Sequence, residues 1–102
     1  MHVIEIFLPL NRRDGTPQRS GRIGELRREL VERFGGLTAF TRAPAEGLWE
    51  DDDNRVERDR IVIFEVMAEE IDRGWWSALR ERLERDLDQE EVLIRASAIE
   101  RL

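Results

Sequence analysis

Two carboxylates draw attention because of where they fall. Ile61-Val-Ile-Phe-Glu-Val-Met67 is the most apolar run in the chain, and Glu65 is its one interior charge. Val3-Ile-Glu-Ile-Phe-Leu8 repeats the arrangement around Glu5. A carboxylate set into an apolar strand needs a partner, and two other apolar stretches offer one, Arg42 after Leu37-Thr-Ala-Phe-Thr and Arg95 within Glu91-Val-Leu-Ile-Arg-Ala-Ser97. A guanidinium matches a carboxylate with two parallel hydrogen bonds. Two chemistries are open to such a set. The plainer one is a pair of cross-strand salt bridges that fix register. The other is a pocket in which one carboxylate, pressed by burial and by its like-charged neighbour, acts as a base. The residue types alone do not choose.

The absences narrow the field further. The chain has no Cys, no Lys and no Tyr, so all seventeen basic residues are Arg. Thiol catalysis, Cys–zinc sites, Schiff-base chemistry and a lysine-bearing phosphate loop are thereby excluded. A lone His2 cannot build a multi-histidine metal site, and neither a metal nor a cofactor is expected. The net charge of −6 argues against nucleic acid and anionic membranes as partners. Met1 to Leu10 carries Glu5 and no basic leader, and no run approaches spanning length, so a soluble cytoplasmic protein is expected. The exclusive use of arginine suits a GC-rich bacterial genome.

The elements that must position these residues can be read from periodicity. Residues 3–8 alternate as a strand, closed by Pro9, and a loop with a turn at Asp14-Gly15 follows. Ser20 is the expected N-cap of a first helix whose Ile23, Leu26, Leu30, Val31 and Phe34 form an apolar stripe, ended by Gly35-Gly36. Residues 37–42 make a second strand. Residues 43–60 form a long connection, expected as a hairpin that extends past the sheet with Asp51-Asp-Asp-Asn54 at its tip. Residues 61–67 are the third strand, a helix capped by Asp72 runs through Trp75, Trp76, Leu79, Leu83 and Leu87, and residues 91–97 close the chain.

The order β-α-β-β-α-β in 102 residues is one domain, 1–102, large enough to bury a core without disulfides. Right-handed crossovers put strands one and three side by side, in sheet order 4-1-3-2 with both helices on one face. This is the ferredoxin-like α+β sandwich. Alternation then assigns Val3, Glu5, Phe7, Ile61, Ile63, Glu65 and Met67 to the helix-free face, joined by Thr38, Phe40 and Arg42 on one side and Leu93, Arg95 and Ser97 on the other. Such a face is too apolar to stand in water, and a second copy would cover it. A homodimer of the dimeric α+β barrel type is the expected assembly.

Other candidates weigh less. Asp51 to Asn54 lacks the ligand spacing of a calcium loop and reads as a solvated tip. Arg12, Arg13, Arg19 and Arg22 gather near the first helix, where an anion could sit on free amides, although solvated charge is the simpler account. Of Trp75 and Trp76, one is expected in the core and the other at its rim. An RNA-recognition module shares the element order but needs a basic residue, glycine and spaced aromatics in its third strand; Arg60 to Met67 offers glutamate instead.

Phe34-Gly-Gly-Leu-Thr38, Gly47-Leu-Trp49 and Glu57 ahead of an apolar strand resemble the pattern of the DUF3574-like bacterial proteins, a family of unknown function. The likeness covers about residues 34 to 66 and implies roles for Thr38, Trp49 and Glu57, without an activity to attach to them. The second helix departs from that family. The site candidates are therefore Glu5, Thr38, Arg42, Trp49, Glu57, Glu65 and Arg95. The expected function is binding of a small molecule between the sheet face and the 43–60 hairpin. A cofactor-independent enzyme of the dimeric barrel kind (a monooxygenase or isomerase) and a purely structural interaction module are the alternatives.

Overall fold

The structure, a computed structural model, describes the backbone of residues 1–50 and 56–102 and the side chains of residues 1–41 and 60–102. Its elements are β1 (His2–Pro9), α1 (Arg22–Phe34), β2 (Thr38–Glu50), β3 (Val56–Ala68), α2 (Arg73–Asp86) and β4 (Ile94–Ala98). The strands form one antiparallel sheet in the order β2-β3-β1-β4, which is the expected 4-1-3-2 read from the other edge. The fold is an α+β sandwich of the ferredoxin-like kind.

Alternation decides the layers. Ile4, Ile6, Leu8, Val62, Phe64 and Val66 all point one way and are buried with Leu26 and Leu30 of α1 and Trp76, Leu79 and Leu83 of α2. Both helices therefore cover the same face. Each such side chain removed from water contributes about 1.5–3 kcal/mol. Val31, expected on the helix stripe, is instead exposed. It sits one residue beyond the fully buried Leu30, and a single helical step of about 100° carries it off the sheet-facing side.

The helix ends follow backbone chemistry more than side-chain capping. α1 begins after Gly21 in the left-handed region with no side-chain cap, so the expected role of Ser20 falls to Gly21. α1 ends at Gly35, φ 78, whose N–H donates to the Val31 carbonyl at 2.8 Å. At α2 the expected cap is present, with the Trp75 N–H donating to the Asp72 carboxylate at 3.0 Å. Trp76 is buried, Phe34 stacks on it at 5.3 Å, and Trp75 meets it edge-on at the rim.

The loop after β1 is pinned to the end of α2. Gly15, φ 86, makes its turn, and Asn11 bridges Pro17. Arg13 donates through Nε and Nη2 to Asp88 at 3.1 and 2.9 Å, Gln18 donates to the Leu87 carbonyl at 2.8 Å, and Gln89 returns a bond to the Asn11 carbonyl at 2.9 Å. The arginines near the first helix, for which solvated charge is the simpler account, are thus divided. Arg13 is held by Asp88 and Arg12 reaches the Asp86 carbonyl. The hydrogen bond from Arg13 lowers the Asp88 pKa, and the Thr16 hydroxyl and N–H lower that of Asp14.

Two boundaries differ from expectation. β4 starts at Ile94, because Val92 is buried in the core and its N–H donates to the Glu84 carboxylate at 2.9 Å instead of joining the ladder. The 43–60 connection is mostly strand, with β2 and β3 pairing out to Glu50 and Val56, so the extended arms are present. Its pairing breaks between Phe40 and Ala45. Pro44, without an N–H for the ladder, lies in that break. The acidic tip at 51–54 falls outside the described residues.

Candidate functional site

The strand registers assemble the candidate residues into a line. Thr38 of β2 is opposite Glu65 of β3, Glu65 is opposite Glu5 of β1, and Glu5 is opposite Arg95 of β4. One polar residue from each strand therefore crosses the helix-free face at a single level. The levels on either side are apolar. Phe40, Ile63 and Phe7 pair in one, extended by Leu93, whose carbonyl accepts from the Phe7 N–H at 3.0 Å. Met67 and Val3 pair in the other, ending at Ser97. Phe40, Met67 and Leu93 are each close to half exposed.

Charge is unevenly shared along the polar row. Arg95 Nε donates to Glu5 Oε1 at 3.0 Å, and the guanidinium lies over the Phe7 ring, 4.8 Å from its centroid. In a single copy of the chain the Glu5 side chain is 21% and that of Arg95 58% exposed, a half-solvated bridge that a second sheet would cover. Among the described residues Glu65 makes no ion pair. Its direct neighbours are the Thr38 hydroxyl-bearing residue and the like-charged Glu5, an arrangement that costs stability on a sheet.

A second bridge from Glu65 to Arg42 was expected, and the register does not set it. Glu65 faces Thr38, four residues before Arg42, and the ladder breaks after Phe40. The side chain of Arg42 is outside the described residues. Trp49 and Glu57 are direct backbone partners across the hairpin arms, farther along β2 and β3 from the polar row, and their side chains are likewise not described.

At its β2 end the row opens into a groove of about 510 Å³ between the sheet and the end of α1, lined among others by Thr38, Glu65, Met67, Phe34, Arg33 and Glu69. Arg33 is engaged there, 3.7 Å from Asp72 and 4.2 Å above the Trp75 ring. Alternation places Thr38 and Glu65 on this face, whereas the groove depends on how α1 ends against the sheet. The Arg95–Phe7 stack was also missed. A cation two strand positions diagonal to an aromatic was its only signal. Among the described residues no cluster of three His, Cys, Asp or Glu is arranged to hold a metal, and no helix is long and apolar enough to cross a membrane.

A carboxylate, a hydroxyl and a satisfied salt bridge between apolar rows can orient a small ligand by one charged contact and two greasy flanks. No family model matches the chain, and no curated protein does. Among solved structures, a phage SAM lyase in complex with S-methyl-5'-thioadenosine is similar in fold, with a TM-score of 0.63 at 18% identity over 94% of this chain and 79% of that one.

Proposed function

We propose that the chain works as a homodimer that binds a small molecule on the helix-free face, beside the β2–β3 hairpin. The observation that carries this is the row Thr38–Glu65–Glu5–Arg95 lying between two apolar rows, with only one of its two carboxylates paired among the described residues. A purely packing face would have no use for the second charge. The half-exposed Phe40, Met67 and Leu93 support coverage by a second copy, which would close the ligand between two sheets. The solved neighbour, of similar fold, holds a small molecule, which is in keeping with this reading. Trp49 and Glu57, backbone partners far along the hairpin arms from the row, are proposed for roles on the likeness to the DUF3574-like proteins alone. The Glu5–Glu65 juxtaposition also suits a cofactor-independent enzyme, with Glu65 as the base.

Sedimentation velocity at micromolar concentration, paired with calorimetric titration of S-methyl-5'-thioadenosine, tests the proposal. A dimer that binds the thioether, weakened by Thr38→Val and Glu65→Gln, is expected. A monomer that binds nothing in this class ends the reading. A dimer whose interior is filled and binds nothing returns the chain to a structural interaction module.

A further inference from the structure

The helix-free face carries two settings for a positive charge, and among the described residues only the first is filled. In the first, Arg95 rests between the Glu5 carboxylate and the face of the Phe7 ring. Across the sheet the second offers the same ingredients. Glu65 stands in the polar row, and Phe40 stands in the next row on the neighbouring strand, half exposed. Arg95 cannot serve both. Its guanidinium is committed to Glu5, and β4 lies two strands from β3, about 10 Å.

Two described cations line the groove with Glu65. Arg33 is held by Asp72 and stacked on Trp75, and Arg101 forms no ion pair with Glu65 among the described residues. The row from Thr38 to Arg95 holds two carboxylates and one guanidinium, and its surplus negative charge falls at Glu65. Apolar Ile63 and Met67 occupy the levels above and below on the same strand. A hydrated metal ion would want more oxygens than one carboxylate and one hydroxyl, and it would gain nothing from these flanks. A carboxylate next to aromatic and aliphatic side chains suits a cation that carries its charge on an apolar body.

Building on the site proposed above, we infer that its ligand is an organic cation, an ammonium or sulfonium ion with apolar substituents. The charged centre sits against Glu65, between Phe40 and Met67. Thr38 accepts or donates one hydrogen bond to the ligand's polar end.

Charge is isolated from shape by comparing choline with its uncharged isostere 3,3-dimethylbutan-1-ol, read by amide chemical-shift changes in the isotope-labelled chain. Choline should shift Thr38, Phe40 and Glu65 and bind roughly tenfold more tightly than the alcohol. Glu65→Gln should erase that preference while leaving the alcohol's weak binding in place. Phe40→Leu should reduce it, which keeps the test available if Glu65→Gln does not fold. Equal binding of the two isosteres, or a preference that survives Glu65→Gln and Phe40→Leu, overturns the inference. If S-methyl-5'-thioadenosine binds this row while choline does not, the small-molecule site stands and its cationic ligand class falls. If neither binds, both fall.

Discussion

Arg95 joins β4 to β1 through Glu5 and through the Phe7 ring, and its energetic weight depends on what covers it. At the observed exposure the ion pair alone should couple by about 0.2–1 kcal/mol in a double-mutant cycle of Glu5→Gln and Arg95→Met on denaturant unfolding. A coupling of several kcal/mol would mean that the pair is buried in an assembly, as an unpaired carboxylate under a second sheet would demand. Asp88 and Asp14 make a second residue-scale prediction. Both folded-state pKa values lie below the ordinary one, so their contribution is full above the unfolded value and is lost as pH falls through the folded one. The β1–α1 loop should therefore loosen only below about pH 4. Carboxyl titration by NMR should find both groups acid-shifted, and Arg13→Ala should return Asp88, not Asp14, towards the ordinary value.

At the scale of elements, the ends of the two helices rest on different devices and should fail differently. Asp72→Ala removes the side chain that accepts from the Trp75 N–H and should cost about 1 kcal/mol, whereas Asp72→Asn should cost little. Gly35→Ala meets no atom within 4 Å of the added Cβ, so its cost is conformational, about 1–2 kcal/mol for an alanine held at φ 78. Thermal unfolding of the three variants separates cap chemistry from backbone handedness. A Gly35→Ala variant as stable as the parent would show that α1 ends in another way.

For the whole molecule, the imbalance between the two sheet faces is the dominant fact. One face is closed by α1 and α2, and the other presents Phe7, Phe40, Ile63, Met67 and Leu93 around a polar row. Ile63→Glu or Phe7→Glu places a charge in the proposed contact and should give a monomer by sedimentation with the sheet retained by circular dichroism. A wild-type chain already monomeric at micromolar concentration would remove the contact from the account. Leu83→Ala, in the helix-side core, should instead cost about 2–5 kcal/mol without changing the oligomeric state.

Local pattern was enough to determine the element order, the sheet order, the helix-facing side of β1 and β3, and the Asp72 cap. Each of these follows from a period of 2 or 3.6, or from one residue's chemistry. The same alternation placed Glu5 and Arg95 on one face of neighbouring strands, and the ladder then set them directly opposite. Parity fixes a face but not a level along it. That Glu65 lies opposite Thr38, not beside Arg42, was decided by the ladder and by the break near Pro44. The removal of Arg13 from the arginine gathering was likewise decided by Asp88, a residue 75 positions away that only folding brings within 3.1 Å. Registers and long-range polar contacts depend on where backbones stop pairing, and no repeating signal in the amino-acid order marks that point.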